Sequence, residues 1–412
     1  MNQHTLGGHM RRWQVVLGAV LTGWSLGAHA AELGIAAFNI AWAGSEADFN
    51  EHIRVCTSPQ VNWCDTRAKI VKGETAPTPE EDARAKQCQA DFDTAAGGAG
   101  KGLLVAPCNA YKLTASKWKK ATPGIYAEKL EGLRQTVDGL IRGRRVDVIA
   151  FQEVRSADVI KEILGSHSAD FDACVADHTS FQTVGFAWRR SVTSKPGQCT
   201  PETGLAIKEN LQDPASLRYL RPGVALLLTI GNDPFTLMNV HLKSNCANLI
   251  TSPAFKGHEL TDPDAACQVL NRQVAPLEAW IDGVAKTSPL LVVLGDFNRR
   301  LDEEAAKLVA SKDVRTDHTD PATPNKTGPN GEVSSRFLWQ ELSDGDPALI
   351  QVPPPVTTDC KGFEGLDHIL ISAALSARQT GQPSSEKVKV KQKDKQVIMT
   401  SDHCPRITRL TL

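Results

Sequence analysis

The 412-residue sequence predicts an α/β fold, and three observations carry that prediction. Six short apolar runs read as buried strands: Leu33–Ile40, Val146–Phe151, Val224–Ile230, Phe235–Val240, Leu290–Leu294 and Leu366–Ile371. Two stretches carry apolar residues at helical spacing, and each leads into one of those runs. Composition is that of an ordinary soluble globular protein, 41% hydrophobic and 23% charged, which excludes a disordered chain and a coiled coil. Helix followed by strand, twice over, is the α/β signature.

The first helix is expected over Ile125–Arg142, where Leu130, Leu133, Val137, Leu140 and Ile141 share a face. Thr122-Pro123 suits its start and Gly143 its end. The second, about 264–285, places Ala266, Val269, Leu270, Leu277, Trp280, Ile281 and Val284 on one face; Pro276 should kink it. Two segments break the rhythm. Residues 44–123 hold four cysteines, the motif-free tract Ala95–Gly100, the aromatics Trp63, Tyr111 and Trp118, and the cluster Lys117, Lys119 and Lys120, and read as a disulfide-tied insertion. Its aromatics are read as packing of a small subdomain, with base stacking or lipid contact as the alternative. Residues 311–335 are polar and turn-rich and read as a surface loop. The alternating stretch Lys387–Lys391 fits an edge strand whose lysines discourage mispairing. His178, His258 and His318 lie in polar segments and are expected at the surface.

Residues 1–30 read as a secretory signal peptide. Arg11 and Arg12 precede the apolar stretch Trp13–Leu26, and Ala28-His29-Ala30 forms a small-x-small cleavage site. That stretch is glycine-broken and shorter than the roughly 20 apolar residues a membrane span requires. The expected product is an exported protein, periplasmic or extracellular, comprising residues 31–412. Removing two arginines from 46 bases leaves 44 against 47 acids, a net charge of −3. Such a balance does not suggest a sequence-independent nucleic-acid binder, although a local basic face remains compatible with it. The ten cysteines are an even set without any C-x-x-C pair, which favours disulfides over zinc in an exported chain. Near-neighbour pairing would join 56–64, 88–108, 174–199, 246–267 and 360–404.

The chemistry is written at the ends of the apolar runs. Asn39 lies in Ala37–Trp42; Glu153 ends the run through Phe151; His241 and Lys243 end the run through Val240; Asp296 and Asn298 end the run through Leu294. Asp367 and His368 begin another, and Asp402 and His403 sit near the C-terminus. A buried charge without a partner costs several kcal/mol, on the order of, so one strand-end carboxylate is ordinarily solvated or paired. Six strand ends so equipped point to one converged site. Hard oxygen and amide donors suit Mg²⁺, an Asp beside a His supports proton transfer, and neither a free thiolate nor a G-x-S-x-G elbow is offered. Metal-assisted attack of water on phosphorus is the reaction implied.

In this order, the N-x-x-W, Q-E, H-x-K, G-D-F-N and S-D-H motifs resemble the endonuclease/exonuclease/phosphatase superfamily, over residues 33–43 and 124–412. That superfamily takes in deoxyribonuclease I, exonuclease III-type enzymes, neutral sphingomyelinases and inositol-polyphosphate 5-phosphatases. The resemblance implies a four-layer sandwich: two mixed β-sheets face to face, helices outside, and the active site at one end. It implies Glu153 as the main Mg²⁺ (or Mn²⁺) ligand, with Asn39 and Asp402 in the metal network. His241 would contact the scissile phosphate, Asp296 would orient or deprotonate water, and Asn298 would hold the phosphate. Asp367 would pair with His403, which would stabilise the transition state or protonate the leaving group. Arg221, just ahead of a strand, would add a bidentate phosphate contact. Two departures bear on substrate. Ala41 stands where some repair-type members carry an acid, and Gly365-Leu366-Asp367-His368 lacks the tryptophan and arginine of the 5-phosphatases. The leading expectation is an exported Mg²⁺-dependent phosphodiesterase acting on nucleic acid, as endonuclease or exonuclease. The alternatives are a sphingomyelinase-like or other phosphoester hydrolase acting on phospholipid or a small phosphoester and, from another class, a non-catalytic binding protein on the same fold.

Overall fold

The computed structural model describes Met1 and residues 32–412, apart from 72–73, 75, 115–116, 212–215, 254–255, 307–325, 328–332, 335–336, 345–346 and 354–364. The first half of the chain runs β1 (Glu32–Ala43), α1 (Glu46–Cys56), α2 (Pro79–Ala95), β2 (Lys112–Thr114), β3 (Lys117–Trp118), α3 (Ile125–Asp138), β4 (Val148–Val154), α4 (Ala157–Leu164), β5 (Phe171–Val175), β6 (Thr183–Arg189) and β7 (Gln198–Glu202). The second half runs β8 (Gly223–Ile230), β9 (Asp233–His241), α5 (Ala265–Ala285), β10 (Leu290–Asp296), α6 (Leu301–Ala306), β11 (Lys326–Thr327), β12 (Val333–Ser334), α7 (Leu338–Asp344), β13 (Leu349–Gln351), β14 (Asp367–Ser372), α8 (Ala373–Ser376), β15 (Ser385–Lys387) and β16 (Arg406–Thr411).

Two six-stranded mixed sheets form, ordered β15-β16-β1-β4-β6-β5 and β13-β14-β10-β9-β8-β7. Each has one parallel pair at its centre, β1 with β4 and β9 with β10. Side chains alternate across a strand, and here both faces are claimed. Leu33, Ile35 and Ala37 of β1 meet Leu226, Leu237, Val292 and Leu294 of the other sheet between the layers. The intervening Ala36, Phe38 and Ile40 pack outward on Leu133, Val137, Ile160 and Ile163 of α3 and α4. Leu291 and Val293 of β10 face outward onto Leu270, Val274 and Leu277 of α5. Helix, sheet, sheet, helix is the four-layer sandwich expected, and burial on both faces explains why the central strands read as continuous apolar runs.

The expected helices are present. α5 is capped by Asp264, whose side chain accepts from the N–H groups of Ala266 and Cys267, and it carries Pro276 within it. α3 ends at Asp138 and continues as a wider turn over Gly139–Gly143. One boundary differs. The edge strand is Ser385–Lys387, not Lys387–Lys391; beyond it Val388 and Val390 pack on the α3 side of the sheet, so burial of the valines, not pairing, accounts for that alternation. The 311–335 segment lies almost wholly outside the described residues.

Between β1 and α3 lies the disulfide-tied insertion. Its bridges are Cys56–Cys108 and Cys64–Cys88, not 56–64 and 88–108. The nested pattern arises because α1 and α2 lie across one small core of Val55, Val61, Phe92 and Val105, which brings distant cysteines together. Cys174–Cys199 and Cys246–Cys267 form as expected. The 360–404 pairing involves Cys360, which lies outside the described residues. Tyr111 is buried with Trp42, Phe49 and Ile125, seating the insertion on the sandwich. Trp63 stacks on the exposed Trp118 at 6.4 Å. Among the described residues no helix is long and apolar enough to cross a membrane.

Candidate active site

Register brings the strand ends to one place. In the second sheet Asp296 stands directly between His241 of β9 and Asp367 of β14. In the first, Asn39 pairs with Gln152, and pairing resumes only at Ala43 with Val154. The resulting bulge holds Ala41 at φ 50°, Trp42 at φ 60° and Glu153 at φ 62°. Asn298 follows at φ 52°. Residues other than glycine rarely adopt such angles, and the strain is carried where side chains must be re-aimed.

The converged side chains are nearly all buried. Asn39 is 1% exposed, and its amide donates to Asp296 Oδ2 at 2.9 Å and to Glu153 Oε1 at 3.3 Å, while its oxygen accepts the Ala41 N–H. Asp296 also accepts the Asn298 N–H at 2.8 Å. His403 Nδ1 lies 2.9 Å from Asp367 Oδ2, and its Nε2 lies 3.7 Å from Asp296 Oδ2. His241 Nε2 is 3.6 Å from Asp296 and 3.9 Å from Glu153. The His241 Nδ1 is buried without a hydrogen-bond partner.

Electrostatics separates the roles. Burial alone would lower His403, but the carboxylates of Asp367 and Asp296 outweigh it and hold its pKa at about 10. Burial raises Asp296 to about 7, with Asp367 adding to the rise and His403 opposing it. Burial and the nearby Arg221 push His241 well below the usual histidine range, so it is neutral. His403 is therefore an imidazolium braced by Asp367 and Asp296, and Asp296 is itself poised to take a proton.

Asp296, Asp367 and His403 offer three ligand-type atoms within 4.8 Å of one another. A protonated imidazole is no cation ligand, and both carboxylates are engaged by it. The carboxylate open to a cation is Glu153, whose side chain is 25% exposed beside the buried Asp296. Its hard oxygens fit Mg²⁺ or Mn²⁺ that keeps several waters. Asn39 reaches Glu153 through its NH₂ group. Asp402 is engaged by Lys112 of the insertion in an ion pair; burial raises Asp402, but His403 and Lys112 outweigh that and keep it ionised.

Arg221 lies beside the site with its guanidinium bonded to the carbonyls of His241 and Leu242. Asn298 donates its amide to the Leu242 carbonyl at 3.0 Å. His368 turns away, bonded to the Arg299 and Gly365 carbonyls. Sequence reasoning missed two lysines at this site. Lys112 was hidden in the insertion. Lys129 is fully enclosed on α3, donating to the Ala41 carbonyl at 2.8 Å and the Thr400 carbonyl at 3.0 Å. Burial, opposed by Asp402 and Glu153, lowers Lys129 to about 8. A signal existed: position 129 falls on the same helical stripe as Ile125, Leu133 and Val137. His178 is also not an ordinary surface residue; its Nε2 is buried and unpartnered, and burial lowers it to about 4.

The family model described as "Endonuclease/Exonuclease/phosphatase family" matches residues 125–403. The chain belongs to that family. The match spans Glu153 to His403, and Asn39 and the insertion precede it. Family members are phosphoester hydrolases, typically dependent on a divalent metal. No curated protein sequence matches. Among solved structures, truncated Caenorhabditis elegans TDP2 is similar at 11% identity and TM-score 0.42, over 69% of this chain and 92% of that one. The catalytic domain of human Nocturnin with bound sulfate gives 12% and 0.41, over 73% and 91%. An endonuclease/exonuclease/phosphatase from Bacteroides vulgatus gives 12% and 0.37, over 68% and 91%.

Proposed function

We propose that this protein is an exported, Mg²⁺-dependent phosphodiesterase that hydrolyses nucleic acid. The observation that carries the reading is the His403–Asp367 pair set against Asp296, with Glu153 open beside them. A divalent cation on Glu153 would polarise the phosphoryl group and offset its charge. Asp296, raised toward neutrality by burial, takes the proton of the attacking water. His403, kept protonated by its two carboxylates, stabilises the pentavalent charge and hands a proton to the leaving oxygen. Neutral His241 presents its Nε2 beside Asp296 and Glu153, where it can contact the phosphate, and Asn298 is held next to it on the Leu242 carbonyl. Asn39 aligns Glu153 and Asp296 through one amide group. Asp402, paired with Lys112, would be a further carboxylate able to hold the metal.

Export is proposed from the Arg11–Ala30 leader pattern, and the four disulfides seen among the described residues support an oxidising compartment. The test is to incubate protein purified from residues 31–412 with plasmid DNA, RNA, sphingomyelin and inositol phosphates, at low salt, with Mg²⁺ and with EDTA. Cleavage of a nucleic acid that EDTA abolishes is expected. Hydrolysis of a lipid or an inositol phosphate with both nucleic acids untouched overturns the substrate; full activity in a metal-free preparation overturns the mechanism.

A further inference from the structure

Between the insertion and the sandwich lies a cavity of about 70 Å³ beside the candidate active site. Arg67 comes from the insertion; Arg218, Arg221 and Lys243 come from the segments ahead of β8 and after β9. Against these four cations the lining offers one carboxylate, Glu209, and the imidazole of His178. Burial alone would raise Glu209, yet Lys243, Arg67, Arg218 and Arg221 together hold it ionised, so all four bear on one point. Lys243 Nζ lies 3.4 Å from it. Arg218 is held by the Thr66 carbonyl at 3.2 Å and by Gln89, both of the insertion. Arg221 is held by the backbone of His241, which ties the cavity to the catalytic strand end.

A part-buried pocket with three positive charges in excess, in a chain of net charge −1, is built for an anion. Arginine forks prefer phosphate to a simple halide because planar N–H pairs match two oxygens. Eight of the 21 lining residues, Arg67 among them, lie ahead of the family match at residue 125, so that wall belongs to this chain's own insertion. We propose that Arg67, Arg218, Arg221 and Lys243 form a second phosphate subsite, which holds a phosphoryl group of the substrate other than the one being cleaved. The inference rests on the phosphodiesterase reading and narrows it: the favoured substrate is a strand whose neighbouring or terminal phosphate enters the cavity while the scissile one lies at His403. Glu209 keeps the cations in place when the pocket holds only water.

The experiment compares d(TpT), with one phosphate, and d(pTpT), with a second at its 5′ end, by titration calorimetry in EDTA. The proteins are the parent, Arg67→Gln, and the Arg67→Gln/Arg218→Gln double variant. Turnover of bis(4-nitrophenyl) phosphate with Mg²⁺, which carries no second phosphate, reports the catalytic centre separately. The parent should bind d(pTpT) at least about tenfold tighter than d(TpT). That preference should shrink in Arg67→Gln, whose side chain is exposed, and vanish in the double variant, with bis(4-nitrophenyl) phosphate turnover kept within about twofold. Equal binding of the two dinucleotides by the parent, or a preference surviving in the double variant, overturns the subsite. If bis(4-nitrophenyl) phosphate is hydrolysed while neither dinucleotide binds, the nucleic-acid reading fails on its own. Inorganic pyrophosphate then decides the subsite: binding by the parent that the double variant loses sustains it, and absent or equal binding overturns it.

Discussion

His403 and Asp296 lie 3.7 Å apart; burial raises Asp296, whereas the carboxylates of Asp367 and Asp296 keep His403 protonated against burial. His403→Ala and Asp296→Asn should each lower kcat by at least about 10²-fold, the scale of lost acid–base assistance. Near-normal turnover in either variant would remove that residue from the mechanism. The pH profile of kcat/KM should be bell-shaped. Activity falls as pH drops through the raised Asp296 value, because the base becomes protonated, and falls again as pH rises through the raised His403 value, because the acid is lost. Stability carries a matching sign. A histidine raised above its unfolded value of 6.5 contributes stability that is full below 6.5 and is lost as pH rises through about 10. Denaturation midpoints of the parent should therefore decline over that window more steeply than those of His403→Gln. At this scale the sequence was legible where a residue type names its chemistry: Glu153, His241, Asp296, Asn298, Asp367 and His403 stand within one network. Lys112 was not legible and Lys129 showed only as a lysine on the buried stripe of α3, because a lysine announces no role until its neighbours are known; one meets Asp402 across 290 positions and the other clamps two backbone carbonyls.

Strands deliver Asn39, Glu153, His241, Asp296 and Asp367, and the turns beside them deliver Asn298 and His403, which is why apolar runs ending in acids were readable. Pairing registers place His241, Asp296 and Asp367 side by side, and a bulge in β1 swings Asn39 and Glu153 toward them. Sequence spacing could not foresee the bulge, since nothing in Asn39–Trp42 demands positive φ at Ala41 and Trp42. Nor did it show β5 and β7, short edge strands with partly exposed faces that lack an apolar run. One element-level demand is sharp. Gly295 sits at φ 134°, and a Cβ there would lie 2.2 Å from the Val240 carbonyl oxygen. The parallel strand cannot retreat without moving His241 at its end. Gly295→Ala should destabilise the fold by at least about 2 kcal/mol, from the forbidden backbone angle and the collision together. It should also lower kcat in the fraction that still folds. Urea denaturation and active-site-normalised kinetics measure the two effects, and an unaltered midpoint would contradict the close approach of β9 and β10.

Across the whole molecule, the disulfides fasten layers that share few covalent neighbours. Cys174 lies on β5 and Cys199 on β7, the outermost strands of the two sheets, so that bridge clips the sandwich shut along one edge. Cys246–Cys267 fastens the segment after β9 to the first turn of α5. Cys56–Cys108 and Cys64–Cys88 hold the insertion that supplies Lys112 to Asp402 and Arg67 to the cavity. Non-reducing peptide mapping should recover 56–108 and 64–88 as linked peptides, and finding 56–64 instead would displace the arrangement of α1 and α2. The two groups of bridges should also separate by effect. The edge bridge closes a loop of 25 residues and joins edge strands, β7 being three strands across its sheet from β10, so replacing both its cysteines by serine should cost roughly 2–4 kcal/mol while leaving kcat near the parent value. Replacing Cys64 and Cys88 should cost a similar amount globally or less, because the insertion core can loosen by itself. Its signature should be functional: weaker substrate binding at unchanged chemistry, as Arg67 loses its fixed place opposite Arg218. Equal losses of kcat from both pairs would mean that the insertion and the sandwich unfold as one unit, and the separation of positioning from catalysis argued for this enzyme would not hold.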